Sequence, residues 1–234
     1  VRSSKALDFF SADIQPYIIS GVDILLLSSL EKLLDSINPD VVINCIGITN
    51  KFHNDQISSE TIAINSLFPH QLYSICKTSN RRLIHFSTDC VFSGLKGNYN
   101  ESDIPDSSDL YGKSKHLGEL DFDDALTLRT SMIGHELFTN RGLLEWFLSQ
   151  HGSVNGYKNA IFSGLPTIEI ARSLRNHVLP NKELSGLYHL SSNPISKYYL
   201  LKLIAKIYNK NIEIIEDKNI NIDRSLNSGY FSKM

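Results

Sequence analysis

Residues 81–92, RRLIHFSTDCVF, and residues 111–119, YGKSKHLGE, decide the fold and the chemistry that the sequence predicts. The first stretch is a short apolar run that ends in three polar residues, Ser-Thr-Asp at positions 87–89. In the second stretch Tyr111 stands four positions before Lys115, a spacing that puts both side chains on one face of a helix. Together the two stretches predict a strand with a polar carboxyl end and a helix that returns a Tyr–Lys pair to it.

The spacing of this pair is not unique in the chain. A tyrosine is followed by a lysine four positions later in three places: Tyr73 with Lys77, Tyr111 with Lys115, and Tyr198 with Lys202. Any amphipathic helix can contain such a pair by chance. The first pair lies inside a predicted helix and the third lies in the distal part of the chain, so neither follows a strand end that carries hydroxyl groups. Context therefore favours the second pair; the alternative is a solvent-exposed helix pair beside an ordinary turn.

Short apolar runs bounded by turn signals predict three buried parallel strands, at residues 41–45, 82–86 and 125–128. Helix-like segments with apolar residues at intervals of three and four alternate with these runs, among them residues 61–78. Strands that alternate with helices are joined by right-handed crossovers and form one parallel sheet. The predicted fold class is therefore α/β, a doubly wound parallel sheet of the Rossmann type with helices on both faces.

Each predicted strand ends in polar or glycine-bearing residues. The three endings are Asn44-Cys45-Ile46-Gly47, Ser87-Thr88-Asp89 and Arg129-Thr130-Ser131. In doubly wound sheets ligands bind at the carboxyl ends of the strands. The endings therefore predict a ligand-binding site at that edge of the sheet.

Beyond Gly134 the regular alternation of short apolar runs and helices ends, and helix-like segments separated by Gly-, Ser- and Pro-bearing loops follow. Residues 1–134 are predicted to form a Rossmann domain, and residues 135–234 a smaller, mainly helical lobe that binds substrate over the edge of the sheet. The elements predicted in the lobe are helices at 142–150, 167–179 and 196–209 and an edge strand at 211–215.

Composition argues against several classes of function. Lys and Arg number 23 against 25 Asp and Glu, a net charge of −2, and the basic residues are scattered, so we expect no nucleic-acid partner. No apolar run approaches eighteen residues, so no membrane span is predicted. The three cysteines, Cys45, Cys76 and Cys90, lack metal-ligand spacing, so we expect reduced thiols in a cytoplasmic protein and no metal site.

The residues after the second strand suit the reduction of a ketone. That reaction needs a proton on the carbonyl oxygen as hydride reaches the carbon, and Tyr111 could deliver it. The pKa of a free tyrosine is about 10, so it must be lowered towards neutrality, which the ammonium group of Lys115 would do. A hydroxyl at Ser87 or Thr88 would hold the carbonyl oxygen in place. The pattern indicates hydride-transfer chemistry.

Seven motifs resemble those of one known family. They are PDVVINCIGIT, AINSLFPHQL, STDCVFSG, YNESDIP, YGKSKHLGE, LRTSMIG and GLYHLSSNPISKYYLL. Together they are similar to the extended short-chain dehydrogenase/reductases, most of all to the dTDP-4-dehydrorhamnose reductase type of sugar-nucleotide reductase, over nearly the whole chain. The resemblance implies reduction of a nucleotide-linked 4-keto-6-deoxy sugar by NADPH or NADH, in cell-surface polysaccharide synthesis. A homodimer is compatible with it.

The resemblance also implies a role for individual residues. Tyr111 would be the proton donor, Lys115 would lower its pKa and bind the nicotinamide ribose, and Thr88 would be the hydroxyl partner. The residues implied to bind the cofactor are Arg2 (at a 2′-phosphate), Asp23 (at the adenine), Ile24, Cys45, Ile46, Gly47 and Lys115. Those implied to bind the substrate are Ser87, Asp89, Val91, Phe92 and Ser131.

The sequence departs from the family pattern in three ways. No G-x-x-G-x-x-G occurs, so the first strand and its glycine-rich phosphate loop are absent. The chain also begins at Val1 and stops at Met234 as if both ends of a longer protein were missing. Cys90 stands where the family commonly has Tyr, and Met132 where Trp is common in the rhamnose enzymes, so a different substrate is compatible with the sequence.

Two other functions are compatible with the sequence. One is a sugar-nucleotide epimerase or dehydratase, which keeps its NAD bound and ends redox-neutral. The other is a non-catalytic, dinucleotide-binding regulatory subunit that resembles these reductases, as in methionine adenosyltransferase. The intact pair of Tyr111 and Lys115 weakens the second alternative.

Overall fold

The computed structural model describes residues 4–49 and 55–233. Within these ranges the strands are β1 (Val41–Asn44), β2 (Arg82–Thr88), β3 (Ala125–Thr130), β4 (Met132–Ile133), β5 (Ser153–Phe162), β6 (Leu165–Pro166), β7 (Gly186–Leu190), β8 (Ile195–Ser196) and β9 (Glu213–Asp223). The α-helices are α1 (Leu27–Ile37), α2 (Asp55–Ile62), α3 (Phe68–Thr78), α4 (Leu110–Leu117), α5 (Leu143–Ser149), α6 (Thr167–Ser173) and α7 (Lys197–Ile207). None of these helices is long and apolar enough to cross a membrane.

Four strands form one parallel sheet in the order β1-β2-β3-β7. The chain passes from β1 to β2 through α2 and α3, and from β2 to β3 through α4. This is the alternation of strand and helix that the sequence predicts, and the α/β class with a parallel sheet is confirmed. β2 and β3 each run two residues further than predicted, so Thr88 and Thr130 are the last residues of their strands.

Successive residues of the central strands enter opposite faces of the sheet. Leu83 on β2 packs into a buried cluster with Leu34 of α1 and Leu72 of α3. The next residue, Ile84, packs on the other face against Ile170 of α6. Both faces of the sheet are therefore covered by helices, which explains why β2 reads as a continuous apolar run instead of an alternating one.

A π-helical segment, Ala63–Leu67, joins α2 to α3 without a break in the helical rod. The predicted helix at 61–78 therefore begins earlier than predicted, at Asp55. The buried side chain of Asn65 leaves this segment and accepts a hydrogen bond from the backbone N–H of Ile48 at 2.8 Å. Its amide nitrogen donates to the Ile48 carbonyl at 2.9 Å and to Oγ of Ser114 at 3.1 Å. Asn65 thus ties the loop after β1 to α4.

The chain segment predicted as a mainly helical lobe contains a second sheet, which corrects that prediction. The strand order of this sheet is β8-β5-β9, with β5 and β9 parallel. β5 escapes a sequence-based prediction because one of its faces is exposed, while the buried face is provided by small residues such as Val154, Gly156 and Ala160. A buried cluster with Phe147 of α5 and Leu201 of α7 covers the sheet.

A boundary at residue 134 does not separate the two sheets. β7 lies beyond that boundary in the chain but pairs with β3 in the first sheet. α6 likewise supplies Ile170 to the core of the first sheet. The division into two domains stays a prediction, and any such division has to assign α6 and β7 to the first domain.

Candidate active site

A cavity of about 540 Å³ lies at the carboxyl ends of β1, β2 and β3. The predicted site residues on its wall are Cys45, Ile46, Gly47, Ser87, Thr88, Asp89, Tyr111, Lys115 and Ser131. The three polar strand endings thus meet in one place, as the geometry of parallel sheets requires. Residues of the second sheet, among them Phe162 and Ile222, complete the wall.

Thr88 is the last residue of β2, and the turn that follows fixes its side chain. Its Oγ1 accepts a hydrogen bond from the backbone N–H of Cys90 at 3.1 Å and donates to Oδ1 of Asp89 at 3.2 Å. The residue is buried but still lines the cavity. A hydroxyl group held in one orientation suits the positioning of a carbonyl oxygen.

Two glycines allow α4 to approach the sheet closely. Asp109 caps the helix by accepting a hydrogen bond from the backbone N–H of Gly112 at 2.7 Å. A Cβ on Gly112 would lie 2.2 Å from the carbonyl oxygen of Cys90, and a Cβ on Gly118 would lie 2.0 Å from that of Asn65. Neither position accepts a larger residue unless the helix moves. Gly112 therefore sets how near α4 lies to the turn after β2, and Gly118 sets how near it lies to the π-helical segment.

Tyr111, on the first turn of α4, is held in its protonated form. Burial raises its pKa well above the ordinary value, and the neighbouring Cys90 and Asp89 act in the same direction. A hydrogen bond with Thr88 lowers it by less. A proton donor must hold its proton before the reaction, so this state suits the reductive direction. The lowering of this pKa by Lys115 that the resemblance implies stays a prediction.

Lys115 is buried between α4 and β2. Its Nζ donates to the carbonyl oxygen of Phe86 at 2.7 Å and lies 3.3 Å from Nε2 of His85. Burial lowers the pKa of Lys115 to about 8, while the Glu119 carboxylate and Cys45 raise it less. Lys115 therefore changes charge near neutral pH, unlike an exposed lysine.

The Ser87 hydroxyl is engaged in a buried ion pair. It donates to Oε1 of Glu119 at 2.6 Å, and the same carboxylate accepts from Nε and Nη2 of Arg129 at 2.7 and 2.8 Å. Burial would raise the pKa of Glu119, but the hydrogen bonds from Arg129, His116 and Ser87 and the charge of Arg129 lower it to about 2. The Ser87 hydroxyl is bound at 2.6 Å to the carboxylate of an ion pair, whereas the Thr88 hydroxyl makes a longer contact of 3.2 Å with Asp89 and can turn its proton towards a substrate, so Thr88 is the better candidate for the hydroxyl partner.

Val91 and Phe92 do not line the cavity, although the resemblance implies that they bind substrate. Both side chains are completely buried in a small cluster with Tyr99 and Leu226. The ring of Phe92 stacks on Tyr99 with a centroid distance of 4.0 Å. The 3-10 turn Asp89–Val91 rotates this part of the chain away from the cavity and into the core. Side-chain contact between either residue and a substrate does not fit this placement.

A second cavity, of about 980 Å³, shares Ile46 and Gly47 with the first. Asp23 and Ile24 line this second cavity. The exposed Asp23 carboxylate accepts a hydrogen bond from the backbone N–H of Leu25 at 3.0 Å. The described residues implied to bind the cofactor thus line these two cavities, and Ile46 and Gly47 line both. Arg2 lies outside the described residues.

Arg224 and Lys197 also lie on the wall of the first cavity, and the sequence does not single them out. Nη1 of Arg224 donates to Sγ of Cys90 at 3.4 Å, and Nη2 lies 3.7 Å from Oδ2 of Asp109. Guanidinium and ammonium groups suit the binding of a diphosphate. No local pattern could have marked Arg224, because only the pairing of β9 with β5 brings its stretch of chain to the cavity.

The whole chain is similar to proteins of known family. The family model described as RmlD substrate binding domain matches residues 5–223. The dTDP-4-dehydrorhamnose reductase of Aggregatibacter actinomycetemcomitans is 29% identical over 196 residues, 77% of this chain and 65% of that protein. Methionine adenosyltransferase 2 subunit beta of Danio rerio is 28% identical over 195 residues, 77% of this chain and 59% of that protein.

A solved structure shares the fold. It is described as a hypothetical dTDP-4-dehydrorhamnose reductase from Sulfolobus tokodaii, with a TM-score of 0.77 and 28% identity, and the match covers 93% of this chain and 82% of that one. The chain spans less than two thirds of the length of the two curated relatives, at 65% and 59%.

Proposed function

The chain belongs to the RmlD substrate-binding-domain family, and on that premise we propose that the protein reduces a nucleotide-linked 4-keto-6-deoxy sugar with NADPH or NADH. One observation carries the proposal: Thr88, Tyr111 and Lys115 meet on the wall of one cavity. The names of the two curated relatives do not decide the matter, since one is a reductase and the other a subunit of a different enzyme. A hydroxyl at a strand end, together with a phenol and an amine on the helix beside it, favours the reductase.

The acid-base part of the reaction belongs to the chain's own residues. A reduced nicotinamide cofactor, when bound, would provide the hydride for the carbonyl carbon. Thr88 holds the carbonyl oxygen through its hydroxyl, and Tyr111 donates its proton to that oxygen. The protonated form of Lys115 stabilises the phenolate left on Tyr111. Because the pKa of Lys115 is about 8, it can pass a proton on towards Tyr111 and then take up another from solvent.

The two cavities lie side by side, and their arrangement suits an elongated ligand such as a dinucleotide. We assign Asp23 and Ile24 to its adenine end, the segment 45–47 to its middle, and Lys115 to the ribose next to the nicotinamide. Ile46 and Gly47 line both cavities, which supports this assignment. Arg224 and Lys197 bring two positive charges to the wall of the first cavity. These charges suit the diphosphate of a nucleotide sugar.

The proposal is tested by removing one oxygen atom. Tyr111→Phe in the natural full-length protein, supplied with NADPH or NADH and a panel of nucleotide-linked 4-keto sugars, should lose about 10²–10⁴-fold in kcat, because the proton donor is gone. Tyr73→Phe is the matched control and should keep full activity, since the Tyr73 hydroxyl meets Asp124 at the surface and Tyr73 does not line the cavity. Full activity in Tyr111→Phe would refute the assignment of roles.

The same assay separates the two alternatives that the sequence leaves open. An epimerase or dehydratase would copurify with stoichiometric NAD and convert the substrate with no net oxidation of NADPH. A regulatory subunit would bind the dinucleotide but convert none of the sugars, and it would capture its partner enzyme in a pull-down. Net oxidation of NADPH that depends on Tyr111 excludes both.

A further inference from the structure

Lys115 of α4 and Glu119, which follows the helix, contact neighbouring residues of β2. Nζ of Lys115 donates to the backbone carbonyl of Phe86 at 2.7 Å. The carboxylate of Glu119 accepts from the hydroxyl of Ser87, the next residue of the strand, at 2.6 Å. The backbone N–H of Glu119 donates to the carbonyl of His116 at 3.1 Å, so the chain still turns there. Four positions of such a turn put the lysine and the carboxylate on the same side.

An ammonium group at the depth of Lys115 needs a negative charge nearby. Lys115 is only 4% exposed, and burial of a charge costs free energy unless an opposite charge compensates for it. Within the part of the chain that the structure describes, Nζ contacts the carbonyl of Phe86 and, at 3.3 Å, Nε2 of His85. The imidazole is uncharged, because burial and then the charge of Lys115 lower its pKa to about 3. Neither contact brings a negative charge.

Glu119 brings this charge. Its side chain is 6% exposed, and its carboxylate accepts from Nε and Nη2 of Arg129 at 2.7 and 2.8 Å. Burial raises the pKa of this carboxyl, but the hydrogen bonds from Arg129, His116 and Ser87 and the charge of Arg129 lower it to about 2. Burial lowers the pKa of Lys115 to about 8, and the charge of Glu119 acts against this lowering. Arg129 thus keeps Glu119 ionised, and Glu119 in turn favours a charged Lys115.

We propose that Glu119 is a positioning residue of the proposed active site, and that its carboxylate keeps the buried Lys115 charged on the cavity wall that Lys115 shares with Tyr111. The inference rests on the proposed function and deepens it, because the charged lysine is the form that stabilises the phenolate of Tyr111. Glu119 is not among the residues that line the cavity, so it would act on the reaction only through Lys115.

Other titratable groups surround this pair. Cys45, after β1, also raises the pKa of Lys115, but less than Glu119 does. Asp89, on the cavity wall, is a second buried carboxyl, but burial raises its pKa, which makes it a weaker source of negative charge than Glu119. The remaining charged or titratable residues that the structure places around the pair are His70, His85, Tyr111, His116, Arg129, His189 and Arg224.

The test follows the charge of Lys115 by NMR on the full chain, without cofactor or substrate. The ¹³Cε shift of Lys115 against pH gives its midpoint, which we expect near pH 8 in the unmodified protein. Glu119→Gln removes the negative charge and keeps the shape, so the midpoint should fall by about 1 pH unit. Lys77 of the exposed pair is the internal control, and its midpoint should not move. An unchanged Lys115 midpoint in Glu119→Gln would overturn the inference.

A double variant separates the charge of Glu119 from its packing. Glu119→Gln alone leaves the buried Arg129 unpaired, which destabilises the fold. Glu119→Gln combined with Arg129→Met removes both charges and should recover much of the lost stability, while the Lys115 midpoint should stay below that of the parent. Glu119→Asp keeps the charge, so its Lys115 midpoint should exceed that of Glu119→Gln. A double variant with the parental midpoint would show that Glu119 acts only through packing, and would refute the inference even if Glu119→Gln does not fold.

Activity gives an independent readout. Reduction uses the protonated form of Lys115, so the basic limb of its pH profile should move to lower pH in the double variant. A merely structural role of Glu119 would instead lower kcat by the same factor at every pH. Failure of the proposed function would appear as an active Tyr111→Phe protein, whereas failure of this inference would appear in the Lys115 midpoint, which is measured without substrate.

Discussion

Two Tyr–Lys pairs have the same spacing, Tyr111–Lys115 on α4 and Tyr73–Lys77 on α3, but the pKa values of their lysines are shifted in opposite directions. Nζ of Lys77 donates to the Tyr73 hydroxyl at 2.9 Å and forms an ion pair with Asp124 at 3.0 Å. These contacts lie in solvent, and the hydrogen bonds to Tyr73 and Asp124 raise the pKa of Lys77. Burial lowers the pKa of Lys115.

The comparison teaches that surroundings, not spacing, give a Tyr–Lys pair its chemistry. An exposed lysine next to a carboxylate stays charged and contributes only a screened surface ion pair. A buried lysine that faces a carbonyl and an imidazole can change its charge near neutral pH. Such a lysine can take part in proton transfer in the cavity that Tyr111 also lines. The predictions below test this difference between the buried and the exposed pair.

The largest effect is expected from removing each lysine in turn. Lys115→Met should reduce kcat about 10²–10⁴-fold, because the phenolate of Tyr111 loses its stabilising charge and its route to solvent protons. Lys77→Met should leave kcat and KM unchanged. The measurement is steady-state oxidation of NADPH by the natural protein. Equal losses in the two variants would mean that the buried environment has no chemical role.

The carboxylates beside the two pairs should differ in their effect on stability. Glu119→Gln leaves the buried Arg129 without its counter-charge, which should cost about 3–5 kcal/mol in the free energy of unfolding. Because the pKa of Glu119 is lowered to about 2, its contribution is present above its ordinary pKa and is lost as the pH falls through about 2. Urea titrations between pH 7 and 2 should show this acid-dependent loss in the unmodified protein and a smaller one in Glu119→Gln. A variant as stable as the parent at pH 7 would contradict the role of the ion pair.

The residue that follows each tyrosine should tolerate substitution differently. Gly112→Ala places a methyl group 2.2 Å from the Cys90 carbonyl and 2.3 Å from Oγ of Ser107, so α4 has to move. We expect a loss of about 1–3 kcal/mol in unfolding free energy, as for other overpacked sites, and a lower kcat. Ser74→Ala is the control at the same position of the exposed pair, and its stability and activity should stay unchanged. A Gly112→Ala protein with full stability would show that α4 does not depend on this close approach.

The sequence predicts the buried pair because its neighbours along the chain are informative. The apolar run of β2 predicts a parallel strand, and the rule for strand ends then places Thr88 beside a returning helix. The substrate-binding role that the resemblance implies for Val91 and Phe92 does not fit their placement, because the 3-10 turn Asp89–Val91 leads both side chains into the core. Local sequence patterns also cannot show that the Ser87 hydroxyl donates a hydrogen bond to Glu119, because the two residues are 32 positions apart.

Long-range packing produced the other features that the sequence could not predict. Arg224 reaches the cavity through the pairing of two strands, and His85 reads as one more residue of a buried strand. In the structure its ring contacts Asn44 of the neighbouring strand at 3.0 Å and Lys115 of α4 at 3.3 Å. A hydrogen-bond chain that crosses three elements leaves no periodic signal in the sequence.

The smallest effect is expected at the carboxylate of the exposed pair. Asp124→Asn removes the ion pair with Lys77, but both side chains are about half exposed or more, at 61% for Lys77 and 47% for Asp124. Water and salt screen such a pair, so the urea midpoint at pH 7 should not shift measurably, and adding salt should affect the parent and the variant alike. Activity should also stay unchanged. A clear loss of stability in Asp124→Asn would show that the exposed pair is structural after all, and the contrast between the two pairs would then be one of chemistry and not of energy.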